Sequence, residues 1–92
     1  MKKIYYQYVY LFYDIGEKRV SKVFNICKKY LNHYQKSVFK GELTTSDIIS
    51  LENELKKVIK EDDSITILKL KHKEDLEEFI LGNKNINPSI FI

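Results

Sequence analysis

The sequence predicts an α+β sandwich in which helices lie on one face of a sheet. Three features carry this: a tyrosine-rich run at residues 4–13, two later stretches with apolar residues at helical spacing, and a second alternating run at 64–71. Ninety-two residues support one domain around one hydrophobic core. Residues 1–92 are therefore read as a single unit, with a core at about 3–72 and a carboxy-terminal extension at about 73–92. A chain of this size buries roughly 60–65% of its unfolded surface, so pairing with a second copy would add needed stability.

Residues 4–13 (IYYQYVYLFY) are β-branched and aromatic, with neither glycine nor proline, and read as a strand. One face carries Tyr5, Gln7, Val9, Leu11 and Tyr13; the other carries Ile4, Tyr6, Tyr8, Tyr10 and Phe12. Both are largely apolar, which marks a central strand covered on both sides. Asp14-Ile15-Gly16 turns the chain into a helix at about 17–31, with Val20, Val23, Phe24, Cys27, Tyr30 and Leu31 as its buried stripe. Residues 33–43 are extended again, with Gly41 as a bulge or turn. Thr44 and Asp47 form a capping-box-like pair ahead of a helix carrying Ile48, Leu51, Leu55, Val58 and Ile59, to about residue 60. Glu61-Asp62-Asp63 is a charged turn, and 64–71 alternates as a strand. Leu76, Phe79 and Ile80 fit a short helical turn, Gly82–Pro88 a polar loop, and Ser89–Ile92 a last short strand.

If 33–43 folds as a hairpin, the order becomes the ferredoxin-like βαββαβ arrangement. Two helices cannot cover both faces of such a sheet. The aromatic row of the first strand is then left for a partner, and an isologous homodimer burying face against face is the simplest solution.

Composition excludes several classes. The chain is 43% hydrophobic, too apolar for disorder, and its lone Cys27 excludes an internal disulfide or a zinc cluster of paired cysteines. Met1-Lys2-Lys3 ahead of an apolar stretch resembles a secretory signal, but the tyrosines, Gln7 and Asp14 and the missing small-residue cleavage site argue against one. No run approaches about 18 consecutive apolar residues, so no membrane span is expected and the protein is read as cytoplasmic. Residues 1–43 carry nine Lys/Arg against three Asp/Glu, whereas 44–92 carry seven against ten. A basic half suits phosphate, as well as a simply solvated lysine surface.

Asp14, just past the end of a central strand, reads either as a turn or cap residue or as a magnesium ligand. One carboxylate per chain makes a poor site; a two-fold axis bringing two Asp14 side chains together, completed by water or substrate phosphate, suits magnesium and its phosphodiester chemistry. Arg19, the only arginine, can form one side of the first helix with Lys22 and Lys29 and contact backbone phosphate there, or the three can form a solvated face. The aromatic row can stack bases or be buried in an interface. His33 and His72 fit no metal-ligand spacing, Ser37 has no neighbouring base, Cys27 falls on the buried helix stripe, and no glycine-rich phosphate loop is present.

Tyr13-Asp14-Ile15 after an apolar strand, a basic helix start, and Gln35-Lys36-Ser37-Val38-Phe39-Lys40-Gly41-Glu42-Leu43 together resemble a known family. From about residue 4 to residue 71 the chain is similar to the small CRISPR adaptation proteins, the Cas-two family of CRISPR-associated endoribonucleases. The resemblance implies a ferredoxin-like homodimer, with a carboxy-terminal strand, here Ser89–Ile92, added to the other subunit. It implies a role in spacer acquisition during antiviral defence, as scaffold and ruler for duplex (protospacer) DNA beside a larger CRISPR integrase subunit that performs strand transfer. It also implies a magnesium- (or manganese-) dependent endonuclease activity on RNA or DNA, with Asp14 as metal ligand and Tyr13, Arg19, Ser37 and Phe39 near the site. Two positions depart from the pattern. His33 and Tyr34 stand where many relatives carry an arginine, as do Ser21 and Lys22 where some carry a second, and neither lysine nor histidine replaces a bidentate guanidinium. The competing readings are a stand-alone toxin-like metal-dependent endoribonuclease and an RNA-recognition-type module. The module lacks its expected basic, twin-aromatic motif here.

Overall fold

The computed structural model describes residues 5–82. Its elements run β1 (Tyr6–Asp14), α1 (Val20–Tyr30), β2 (Asn32–Gln35), β3 (Val38–Thr44), α2 (Thr45–Lys56) and β4 (Ser64–Leu70), followed by a 3-10 turn at Lys73–Asp75. The sheet order is β2-β3-β1-β4 with every neighbouring pair antiparallel. This is the expected ferredoxin-like βαββαβ arrangement, with β1 central.

Strand alternation divides β1 between two environments. Val9 and Leu11 are fully buried, with Phe39 and Leu43 of β3 beside them. Val23, Ile26 and Cys27 of α1, Leu31, and Ile48, Leu51 and Leu55 of α2 close over that face to form the core. The opposite face carries Tyr6, Tyr8, Tyr10, Phe12 and Asp14, and neither helix touches it.

Local chemistry sets the element ends. The Thr44 hydroxyl accepts the Asp47 backbone N–H at 3.1 Å, so the expected cap opens α2, and the Asp47 carboxylate sits in the first turn where the helix dipole favours it. α2 stops at Lys56, short of residue 60. Val58 and Ile59 instead form a closing turn on the Leu55 carbonyl and pack against the core. α1 starts at Val20 rather than 17, because a tight turn places the Arg19 N–H on the Gly16 carbonyl at 2.9 Å.

Gly41 is neither bulge nor turn. It lies mid-strand in β3 opposite Val9, where a Cβ would stand 3.2 Å from Leu31 Cδ2; the residue is glycine because the end of α1 crosses there closely. The hairpin turn is instead Lys36-Ser37, with Lys36 in the left-handed region (φ 32°), and the bulge falls between His33 and Gln35. The helical turn expected at Leu76–Ile80 does not form. Only Lys73–Asp75 turns, and the segment beyond lacks a face on the core: Phe79 is 85% exposed. Ile4, the loop beyond Gly82 and the expected strand Ser89–Ile92 lie outside the described residues.

Candidate functional site

Asp14 ends β1 on the helix-free face, opposite Ser64 of β4, with an exposed side chain. It continues the row Tyr6, Tyr8, Tyr10, Phe12. Tyr8 and Tyr10 meet edge to face at 5.6 Å, and Tyr10 stacks on Phe12 at 6.3 Å. On the same face Tyr10 lies between Lys40 of β3 and Leu68 of β4, and Tyr8 between Glu42 and Leu70. Tyr6 and Leu68 remain 55% and 52% exposed. The result is an apolar, aromatic sheet face with a carboxylate at its rim.

The loop behind Asp14 is held by one buried carboxylate. Asp63, with no side-chain exposure, accepts the Gly16 N–H at 2.9 Å, Arg19 Nε at 2.5 Å and Nη2 at 2.9 Å, and the Lys60 N–H at 2.9 Å. The Arg19 guanidinium, followed by the Gly16 and Lys60 amides, holds the Asp63 carboxyl well below the usual carboxylate range, and Asp63 in turn raises Arg19. A Cβ on Gly16 would meet Arg19 Nη2 at 2.7 Å, so glycine there lets the guanidinium close over the loop. Asp63 was legible only as part of a charged turn. The signal that could have singled it out is the presence of one arginine needing a bidentate acid.

The candidate phosphate contacts are not equivalent. Arg19 gives one edge of its fork to Asp63 and keeps the outer edge, with its side chain 27% exposed. Lys29 pairs with Glu54, which also accepts the Tyr30 hydroxyl; both donors pull the Glu54 carboxyl down. Lys22 lines a surface groove between α1 and α2 with Asn25, Lys29 and Lys57.

Tyr13 and Phe39 stack at 6.2 Å, but both point to the helix side, away from Asp14. Phe39 is fully buried, and burial raises the Tyr13 phenol. Ser37 reaches the Asp14 end of the sheet through its carbonyl, which accepts the Tyr13 N–H at 3.1 Å. His33 packs on Phe24 and Phe39 at 4.9 and 5.0 Å and bonds the Lys36 carbonyl, which makes it structural. Burial pushes the Cys27 thiol up to about 12. Among the described residues no three His, Cys, Asp or Glu side chains gather into a metal site, and no helix is long and apolar enough to cross a membrane.

Fold and site together define a ferredoxin-like subunit that presents a helix-free aromatic sheet face ending in an aspartate. The family model "CRISPR associated protein Cas2" matches residues 7–78. A Fusobacterium nucleatum protein named CRISPR-associated endoribonuclease Cas2 is 43% identical over 82% of this chain and 76% of its own length. A Thermodesulfovibrio yellowstonii protein of the same name, numbered 3, is 42% identical over 90% of this chain and 97% of its own. A solved structure titled "Crystal structure of cas2" superposes with a TM-score of 0.81 at 34% identity, over 95% of this chain and 99% of that one. The chain belongs to the CRISPR-associated Cas2 family, and its function is CRISPR-associated.

Proposed function

We propose that this chain works in spacer acquisition as a homodimeric scaffold that holds duplex DNA for a larger CRISPR integrase subunit in the cytoplasm. The observation that carries the reading is the helix-free face of the sheet. A central strand is normally covered on both sides, and here the core helices cover only one. A second copy placed face to face buries Tyr6, Phe12 and Leu68 and gives the pair two outward helical layers. Lys22 and the outer edge of Arg19 lie on those layers, with Lys29 beside them, and suit a phosphate backbone read by charge rather than sequence. Asp63 contributes by fixing the Gly16–Arg19 loop, so the guanidinium meets phosphate already oriented.

A metal-dependent nuclease activity, on RNA or DNA, is the second reading, favoured by the position of Asp14 at the rim of the same face. Within one subunit the donor set does not hold a cation: the neighbouring acid, Asp63, is spent on Arg19, Gly16 and Lys60. Two copies would supply two Asp14 carboxylates, a donor set suited to magnesium (or manganese) that keeps most of its waters. Bound there, the ion would polarise a phosphodiester. This chain's residues orient the carboxylates through the end of β1 and the Ser64 pairing.

The test is duplex binding followed by anisotropy across a salt series, with magnesium-dependent cleavage of labelled RNA and duplex DNA measured alongside. Binding should weaken steeply with salt, and Lys22→Ala should reduce the log–log slope by about 1. Salt-independent binding would remove the scaffold reading. Cleavage by wild type and none by Asp14→Ala would establish the nuclease; equal cleavage by both would remove Asp14 from the chemistry.

A further inference from the structure

The groove between the two helices holds one carboxylate among three lysines. Lys22, Ile26 and Lys29 follow one another along a single face of α1, and Glu54, Lys57 and Val58 meet them from the end of α2. Ile26 is only 9% exposed and Val58 packs against the core, so the charged groups form the rim. Glu54 lies in the last turn of α2, at the negative pole of the helix dipole, where a lysine is favoured and a carboxylate is not. The neighbouring helix holds it there: Lys29 Nζ and the Tyr30 hydroxyl both donate to Glu54. Those two bonds, with Lys57 nearby, pull its carboxyl down and keep it ionised. Glu54 therefore takes a cation and a hydroxyl, the donors that a phosphate oxygen takes. Lys22 and Lys57 line the same groove and, among the described residues, form no salt bridge of their own.

We propose that Glu54 is a built-in competitor for nucleic-acid phosphate, withholding Lys29 from a duplex that Lys22 and Lys57 contact. This role rests on the duplex-scaffold reading and names the residue that sets the strength of its grip. A phosphate takes Lys29 only by breaking an existing pair and leaving Glu54 uncompensated beside a polyanion. The pair is open to that exchange, since the Lys29 and Glu54 side chains are 57% and 32% exposed. Exposed pairs of this kind shift an equilibrium by about fivefold at most, so Glu54 tempers binding without abolishing it. A scaffold that passes its DNA on to strand transfer needs a grip that is reversible in this way.

The experiment measures duplex DNA binding by anisotropy across a salt series for full-length wild type, Glu54→Gln, Lys29→Ala and the double variant. Glutamine keeps an acceptor for the Tyr30 hydroxyl, so the helices stay tied while the charge is lost. Glu54→Gln should bind about fivefold tighter at low salt and raise the log–log slope by about 1. Lys29→Ala should leave wild-type binding nearly unchanged, yet remove the whole gain from Glu54→Gln. Glu52→Gln is the control for charge alone: Glu52 also lies on α2 and pairs with Lys69 at 3.6 Å, but it lines the groove on the β4 side. Equal tightening by Glu52→Gln, or a gain that survives Lys29→Ala, would overturn the competitor, because bulk charge would then account for it. A Lys29→Ala protein that loses as much affinity as Lys22→Ala would overturn it too, since Lys29 would already be on phosphate. That comparison leaves Glu54 in place and decides the matter should Glu54→Gln unfold. If wild type binds with a salt slope and a folded Glu54→Gln matches it, the scaffold reading stands and the competitor falls. If only Glu54→Gln binds, the competitor holds in its strongest form; if neither binds, both readings fall.

Discussion

Replacing Leu68 by threonine should weaken the dimer by about 30-fold without unfolding the subunit. Leu68 lies beside Tyr10 on the bare face and is 52% exposed in one chain. Fully burying a leucine side chain stabilises by about 1.5–3 kcal/mol, so covering its remaining half is worth about 1 kcal/mol. In an isologous interface each substitution counts twice, which gives about 2 kcal/mol, or about 30-fold in the dissociation constant. Threonine is β-branched and suits a strand, so β4 keeps its propensity and the loss falls on the interface. Ile49 provides the control: it has the same 52% exposure but lies on α2, behind the opposite face. Sedimentation over a dilution series of wild type, Leu68→Thr and Ile49→Thr reads the effect. A Leu68→Thr dimer as tight as wild type, or a greater loss from Ile49→Thr, would refute a dimer built on the bare face.

Asp63→Asn should lower the melting temperature at neutral pH and flatten its acid dependence. Because the folded carboxyl is held below its unfolded value of about 3.9, its contribution is present above that pH and is lost as pH falls below it; melting curves between pH 7 and 3 check this, and parallel wild-type and variant profiles would refute it. Thr44→Ala should cost about 1 kcal/mol through the lost α2 cap, seen as a lower urea midpoint at unchanged slope, with Thr44→Ser restoring most of it. Cys27, buried in the core with its thiol pushed up to about 12, should react with a thiol reagent only as fast as the protein opens; labelling at the rate of a free thiol would contradict its placement.

Much of the fold was legible because local signals and tertiary packing agree. The alternation in β1, the Thr44–Asp47 pair and the stripe Ile48, Leu51, Leu55 each lead to the element that forms. Gly41 was misleading, since a glycine in a strand marks either a break or a close crossing, and only the position of Leu31 decides between them. Leu76, Phe79 and Ile80 have helical spacing but no core left to face, because α1 and α2 already fill it. At the site, the place of Asp14 could be read from the strand that precedes it. The pairing of Arg19 with Asp63, 44 residues apart, and the seat of Glu78 on Tyr10, 68 apart, could not, since neither leaves a local pattern.

The scaffold role is tested most directly by reconstituting strand transfer with the larger integrase subunit, a duplex DNA fragment and a target, with this chain omitted, added as wild type, or added as Asp14→Ala. Insertion should be absent without the chain and equal with either form, because the scaffold needs the face and the helices but not the rim carboxylate. Undiminished insertion without the chain would contradict the scaffold, and insertion lost only with a folded Asp14→Ala protein would move the central role from the scaffold to the aspartate.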